Sequence, residues 1–365
     1  MFVESVKLKN YRNYRNETVD FTEGMNVIVG DNGEGKTNLL ESIYLLSTTR
    51  SHRNDDDKEL IQFEEEFASV EGIVRYKEDR SKLTAILHKT GKTIMINNQP
   101  VRKNSEFIGR LNAVLFEPGD MDFFDDAPKI RRRMVDMELG KLSLSYMHAL
   151  SDYLKRLKER NAYLKGNVDE MMLETYTELL YEPQIRIIRE RNEFIKKINS
   201  YISYFYNEIT GENHTITMKY RSIVEEKNDE QKMNEELSRL YENIRERDIY
   251  LKVTNIGIHR EDYLFYLDDN DVSKYCSQGQ KRMILLALKL AIVQIIFQVK
   301  REFPVLLLDD VFSELDARKR KNLYRLLPQT VQTIITTTDS DEIEVNENVK
   351  LIQIRKGMVV NGKQR

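Results

Sequence analysis

The octapeptide Gly30-Asp31-Asn32-Gly33-Glu34-Gly35-Lys36-Thr37 constrains this chain more than any other stretch. It fills every fixed position of the pattern G-x-x-x-x-G-K-[ST], whose glycines let successive backbone N–H groups curl around a phosphate with no Cβ in the way. In that pattern the lysine, here Lys36, reaches the β- and γ-phosphates, and the hydroxyl of Thr37 ligates Mg²⁺. The flanks agree with it. The apolar run Met25–Val29 predicts a buried strand entering the loop, and residues 38–46 predict a helix leaving it, starting at Asn38 with its positive end toward the anion. The expected cofactors are ATP and Mg²⁺, held by residues 30–38.

Val305-Leu306-Leu307-Leu308-Asp309-Asp310 supplies the second half of such a site. Four apolar residues predict a central parallel strand, and a carboxylate at its C-terminal edge faces the phosphates through the metal. Asp309 is the metal-side candidate beside Thr37. Asp310 is placed to orient the attacking water or take its proton. Lys36, Asp309 and Asp310 are thus the candidate catalytic residues.

The chain has 365 residues, enough for two or three domains with a sizeable core. Its 57 Lys and Arg nearly balance 60 Asp and Glu, so any attraction to nucleic acid must come from local patches. One cysteine, Cys276, excludes an internal disulfide, and five scattered histidines offer no zinc spacing. The most apolar stretch, residues 283–299, contains Lys289 and reads as a buried helix rather than a membrane span. A cytoplasmic location without membrane partners is expected.

Alternation predicts strands at the start of the chain, at 70–76, 82–88 and 92–96, with Asn97-Asn98 as a turn. From 126 to 250 the pattern becomes helical, with Leu150, Leu154, Leu157 and Leu164 at helical spacing and no sustained heptad. After it come a helix over 280–300, the strand at 305–308, a helix near 316–327, and strands at 333–337, 349–354 and 358–360. Three segments result: 1–125 as the N-terminal part of a nucleotide-binding lobe, 126–250 as a helical insertion, and 251–365 as the C-terminal part of the first lobe.

Lys36 and Asp309 stand 273 positions apart, too far for a compact GTPase or small-molecule kinase without a large insertion. Ser277-Gln278-Gly279-Gln280 lies 32 positions before Asp309, at the start of the apolar helix. Ser277, the Gly279 N–H and the helix dipole can form a second anion site, and the same serine could instead be an ordinary helix cap. The order of motifs resembles that of ATP-binding-cassette ATPases. There a signature loop from one protomer faces the phosphate loop of another, so that a symmetric dimer clamps two ATP molecules. Ser313 and Asp316 match the D-loop of that superfamily.

Across nearly its whole length the chain resembles the RecF family of bacterial recombination mediators. The matching segments are 10–14 (NYRNY), 38–46, 50–53 (RSHR), 131–133 (RRR), 257–260 (GIHR), 277–280 and 307–316. The resemblance implies an α/β fold, an ABC/SMC-type P-loop ATPase head with a mixed sheet plus an inserted, mainly helical second lobe. It implies an ATP-dependent homodimer that binds double-stranded DNA and single-strand/double-strand junctions. It also implies partnership with RecO and RecR in loading RecA, and weak, DNA-dependent ATP hydrolysis that resets a switch. It adds Arg12 and Asn13 to the nucleotide-binding set.

Departures from the family pattern are Ile258 where proline is usual, Glu117 where a small polar residue is usual, and Asp310 where other cassettes use Glu. Thr336–Asp339 contains no histidine to sense the γ-phosphate, as in similar sequences. For DNA the candidates are Arg131, Arg132, Arg133, Lys155 and Arg156. Residues 126–160 hold nine Lys and Arg against five Asp and Glu, and residues 183–201 hold five against two. Such runs can equally be the solvated faces of amphipathic helices. Two other functions fit parts of the pattern: a cassette ATPase acting on ribosomes or another assembly, and a phosphotransferase.

Overall fold

The computed structural model describes residues 1–360 apart from 55, 78, 228, 328–329 and 340–348. The end of the 251–365 segment, residues 361–365, lies outside the described residues. The chain packs as two compact units. Met1–Met121, Tyr204–Asn213 and Arg282–Arg365 make the first; Asp122–Ser203 and His214–Lys281 make the second. These limits run differently from the three sequence segments because strand pairing sets them. Asp262–Leu267 pairs antiparallel with Ile216–Arg221, which ties residues beyond 250 to the helical unit.

The first unit holds two six-stranded sheets. One is antiparallel, in the order Tyr14–Asp20, Phe2–Tyr11, Phe67–Tyr76, Asp79–His88, Gly91–Ile96, Gln99–Pro100. Its first strand departs from simple alternation: Val3, Val6 and Leu8 are all buried. A register shift between Val3 and Ser5 inserts one residue, so the inward phase changes partway along the strand. At the other end Asn97 and Asn98 take φ of 48° and 63°, the left-handed pair that a tight two-residue hairpin needs.

The second sheet runs Met358–Val360, Val349–Arg355, Met25–Val29, Thr333–Thr337, Val305–Asp309, Ala113–Phe116. Met358–Val360 is antiparallel to its neighbour; the other pairings are parallel. Register places Asp309 beside Thr336 and Thr336 beside Ile28, one row across the carboxyl ends of three strands. Ligands of open α/β sheets bind at that edge. Helix Lys36–Thr48 follows the strand Met25–Val29 and buries Leu39, Leu40, Ile43, Leu45 and Leu46 completely.

Helix Gln278–Lys300 is long and apolar enough to cross a membrane, yet Ile284, Leu286, Ala287, Leu288, Ala291, Ile292, Ile295 and Ile296 are fully buried in the protein. Lys289 is tolerated there because its ammonium lies 3.1 Å from Asp120 Oδ2. Burial raises the pKa of that aspartate, with Lys289 opposing the rise.

The second unit joins helices Pro128–Leu142, Leu144–Tyr163, Glu170–Glu178, Tyr181–Asn199 and Glu230–Leu251 to a three-stranded sheet, Asn270–Asp271, Asp262–Leu267, Ile216–Arg221. Its centre is polar. Arg191 donates to Asp136 at 2.7 Å, Glu261 at 2.9 Å and the Tyr146 hydroxyl at 3.0 Å. Arg160 donates to Asp248 at 2.8 Å, Thr254 at 2.7 Å and Thr177 at 2.9 Å. Both guanidiniums are almost fully buried. Fully satisfied networks of this kind fix one packing of the helices, while loss of one partner strands a buried charge.

Candidate functional site

Strand Met25–Val29 delivers the chain to Gly30, and helix Lys36–Thr48 begins six residues later with Gly35 as its cap. Gly35 has φ 114°, and a Cβ there would fall 2.6 Å from Asn13 Nδ2. A Cβ on Gly30 would fall 2.5 Å from the Ile354 carbonyl oxygen. Both glycines are therefore required by packing as well as by phosphate access. Asn13 wedges under the loop: its amide donates to Glu34 O at 3.0 Å and its oxygen accepts from Asn38 Nδ2 at 2.9 Å. The Tyr14 hydroxyl donates to Gly35 O at 2.9 Å. From the other side the turn at Lys356-Gly357 closes on Glu34, with Gly357 N–H donating to Glu34 O at 3.0 Å.

The Lys36 ammonium folds back over the loop, donating to Gly30 O at 2.6 Å and Asp31 O at 3.0 Å. Burial pushes its pKa down, and Asp310 and Asp309 counter that. Thr37 Oγ1 donates to Asp309 Oδ1 at 3.0 Å, and Thr336 Oγ1 donates to the same oxygen at 2.6 Å. Burial raises the Asp309 pKa, and the two hydroxyls pull it back. Thr336 also accepts from the Asp310 N–H at 2.9 Å. Sequence reasoning noted Thr336 only as the absence of a histidine; its link to Asp309 depends on the row across the sheet.

Asp310 has φ 50°, a left-handed backbone that costs a non-glycine residue about 1–3 kcal/mol. Its Oδ1 is buried without a hydrogen-bond partner among the described residues. A hydroxyl, a carboxylate and an unpartnered second carboxylate oxygen form a hard-oxygen donor set that fits a small divalent cation completed by phosphate and water. Nearby, His52 Nε2 lies 3.0 Å from Glu117 Oε2, off the line of a hydrogen bond, and the His52 ring stands edge-on to Tyr44. Among the described residues no group of three or more His, Cys, Asp or Glu could hold a metal by itself.

Arg12 lies against the helix that follows the loop. It grips Glu41 with Nε and Nη2, both at 2.9 Å, and reaches Asn54 and the Glu59 carbonyl. Burial works to raise Glu41, but hydrogen bonds from Arg12 and Ser51 outweigh it and hold the carboxyl below its usual range. Arg12 thus braces the helix that follows the loop.

In the second unit, Ser277 Oγ accepts from the Gln280 N–H at 3.3 Å, and Gln280 Oε1 accepts from the Ser277 N–H at 3.0 Å. This is a reciprocal capping box at the start of helix Gln278–Lys300, the cap reading of Ser277. Further along, Ser313 Oγ donates to Asp310 O at 2.9 Å, and Asp316 caps helix Ala317–Leu326 through the Lys319 N–H.

The DNA candidates are corrected in part. Arg131 is buried, bidentate to Asp262 at 2.8 and 3.0 Å, and its remaining nitrogen serves the carbonyls of Phe123, Phe124 and Asp126. All three guanidinium nitrogens are engaged and the side chain is buried, so it does not present itself to a phosphate. Arg156 is held by Asp152 and the Leu179 carbonyl, whereas Lys155 is exposed with only a loose contact to Glu159. Arg132 donates to the Glu261 carbonyl and is half-buried. Burial, then the nearby Arg191 charge, lowers its pKa. Arg133 is half-buried, with interactions of its own.

His259, singled out in the 257–260 motif, is part of the packing. Its Nε2 is 3.2 Å from the Thr254 carbonyl, so that nitrogen carries the proton and Nδ1 accepts from the Tyr153 hydroxyl at 2.7 Å. Burial pulls its pKa down to about 4. The neutral ring is the folded form, so the unfolded chain takes up the proton first as pH falls from about 6.5. Between there and pH 4 this group should cost the fold up to about 3 kcal/mol. Urea titrations at pH 7 and pH 4.5 are expected to show a smaller loss for His259→Gln than for the parent. An equal loss in both would assign the acid sensitivity to other groups.

The family model for the RecF/RecN/SMC N-terminal domain matches residues 2–360. The DNA replication and repair protein RecF of Staphylococcus carnosus is 37% identical over 369 residues, covering 99% of this chain and 100% of the relative. This chain belongs to the RecF family. The RecF of Streptococcus suis is 38% identical over 362 residues, with 98% and 99% coverage. A solved structure described as the recombination mediator protein RecF-ATP in the RecFOR pathway superposes with a TM-score of 0.91 at 34% identity, covering 98% of this chain and 97% of that one. An SMC head from Pyrococcus furiosus superposes with a TM-score of 0.57 at 16% identity, covering 98% and 95%, a likeness of fold alone. The RecF-family chain therefore has the SMC-type ATPase head fold expected from its motifs.

Proposed function

We propose that this RecF-family chain is an ATP-switched recombination and repair mediator. ATP bound at residues 30–38 joins two copies, and the dimer grips double-stranded DNA beside single-stranded gaps, where it works with RecO and RecR to load RecA. A cytoplasmic location fits that work. The observation that carries the reading is the oxygen chain Thr37–Asp309–Thr336 beside the glycine loop, at the carboxyl edge of the parallel strands. The full-length likeness to a RecF protein solved with ATP supports it.

In this mechanism the Lys36 ammonium leaves the Gly30 and Asp31 carbonyls for the β- and γ-phosphates. Thr37 and Asp309 would hold Mg²⁺, which would neutralise charge on the phosphate oxygens. Asp310 orients water through its unpartnered carboxylate oxygen. Ser277 and the first-turn N–H groups of helix Gln278–Lys300 receive the γ-phosphate held by the other copy. Arg12 and Asn13, which brace the loop and its helix, complete the nucleotide-binding set.

Light scattering on the full chain tests the reading: the mass is expected to double with ATP and Mg²⁺ and duplex DNA to bind only then. A monomer under saturating nucleotide and duplex would refute it. Asp310 carries one methylene fewer than the usual glutamate and sits on a constrained backbone, so hydrolysis is expected to be slow. Single-turnover rates should stay below about 10 s⁻¹, the ordinary enzyme median. A faster burst would contradict the switch role.

A further inference from the structure

The antiparallel sheet of the first unit carries a groove of about 610 Å³ that the nucleotide site does not use. Lys7 and Lys9 line it from the exposed face of Phe2–Tyr11, while Val6 and Leu8 between and beside them point into the core. Residues two apart on a strand project the same way about 6.8 Å apart. Register sets Asn16 on one side of Lys9 and Ser69 on the other, and Arg15 lines the groove next to Asn16. Lys7, Lys9 and Arg15 have no ion-pair partner among the described residues.

The carboxylates in the same groove are already engaged. Glu71 pairs with Lys82 at 2.5 Å, and Glu65 accepts from Asn10 Nδ2 at 2.9 Å. Lys9 Nζ has only the Phe67 ring, 5.2 Å from its centroid, as a counterpart. What remains is an open groove with a net positive charge.

We propose that this groove takes the phosphate backbone of a nucleic-acid duplex. Glu71 stands opposite Lys7 across the strands but is already paired with Lys82, so the attraction of Lys7, Lys9 and Arg15 is directed outward. The spacing of Lys7 and Lys9 equals two rises of a single strand, each about 3.4 Å. Asn16 and Ser69 add short donors for phosphate oxygens, the type of contact that positions a duplex without reading its sequence. A folded acidic protein would want a buried apolar centre, and the groove offers only Phe67 and Ile86. The assignment rests on the DNA-binding reading and adds to it a contact surface remote in sequence from Arg132 and Lys155.

The test compares the parent with Lys7→Gln/Lys9→Gln/Arg15→Gln, and with Lys7→Arg/Lys9→Arg as the charge-preserving control. Affinity for a short duplex is measured across salt concentrations with saturating ATP and Mg²⁺. The triple variant is expected to double its mass with ATP like the parent but to lose about 0.9 of salt slope per phosphate contact, near 2.7 for three. The arginine control should keep the parental slope. If the parent binds duplex and the triple variant shows the same slope, the groove assignment falls while the mediator reading stands, and an acidic protein becomes the better occupant. If the parent does not bind duplex at all, both fall.

Discussion

Lys36→Met is expected to weaken ATP binding by roughly 30-fold to several thousand-fold while leaving the fold intact. The ammonium is the one cation inside the glycine loop, and removing one member of a buried, hydrogen-bonded charge pair costs about 2–5 kcal/mol; each 1.4 kcal/mol is tenfold. The fold should not suffer. In the free protein Lys36 satisfies only two backbone carbonyls, and its own charge is disfavoured by burial, which lowers its pKa. Methionine has nearly the same length and no such penalty. Calorimetric titration with ATP, beside thermal denaturation of both proteins, separates the two effects. An affinity within about threefold of the parent would mean that the backbone N–H groups alone hold the triphosphate, and the role given to Lys36 would be withdrawn.

How much of this site was legible beforehand depends on how local each signal is. The glycine loop, Thr37 and the apolar strand ending at Asp309 carry their geometry in consecutive residues, and the strand bounds 25–29, 333–337 and 358–360 coincide with those read from the sequence. Thr336 did not announce itself, because its meaning comes from lying between Ile28 and Asp309 across two strand pairings. The same holds for Ala113–Phe116, four apolar residues too short to distinguish from a loop packed on the core. Ile216–Arg221 was hidden inside a stretch read as helical, and only its pairing with Asp262–Leu267 fixes it as a strand.

Charge counts misled for a related reason. The basic runs around 126–160 and 183–201 include Arg131, Lys141, Arg160 and Arg191, all buried against carboxylates. The partners of Arg131, Arg160 and Arg191, namely Asp262, Asp248 and Glu261, lie far along the chain, so a windowed count scores these cations and misses their counter-ions. The surface excess is correspondingly smaller than the sequence excess. It also moves the search for phosphate contacts to cations without partners, a property that only the fold reveals.

Ser277→Arg is expected to leave ATP binding by single copies unchanged and to abolish the ATP-dependent doubling of mass. The serine lies outside the loop that holds the nucleotide, so the first half follows from separation of roles. The second half follows from symmetry. A two-fold dimer contains the contact twice, and if each hydroxyl-to-phosphate hydrogen bond contributes about 2 kcal/mol, losing both weakens association roughly a thousand-fold. The variant also breaks the capping box with Gln280, at a cost of about 1 kcal/mol, which a 23-residue buried helix can absorb. Two further substitutions separate the cap from the anion contact. Asparagine and aspartate cap about as well as serine. Ser277→Asn should therefore retain the helix and much of the dimer, whereas Ser277→Asp retains the helix but sets a carboxylate against the incoming phosphate. At about 4 Å that repulsion is near 1 kcal/mol in water and about 4 kcal/mol at a protein surface. Light scattering with ATP and Mg²⁺ should rank parent, Asn, then Asp and Arg. Should Ser277→Arg dimerise as the parent does, the nucleotide is not sandwiched between the two copies, and the switch must work through some other surface.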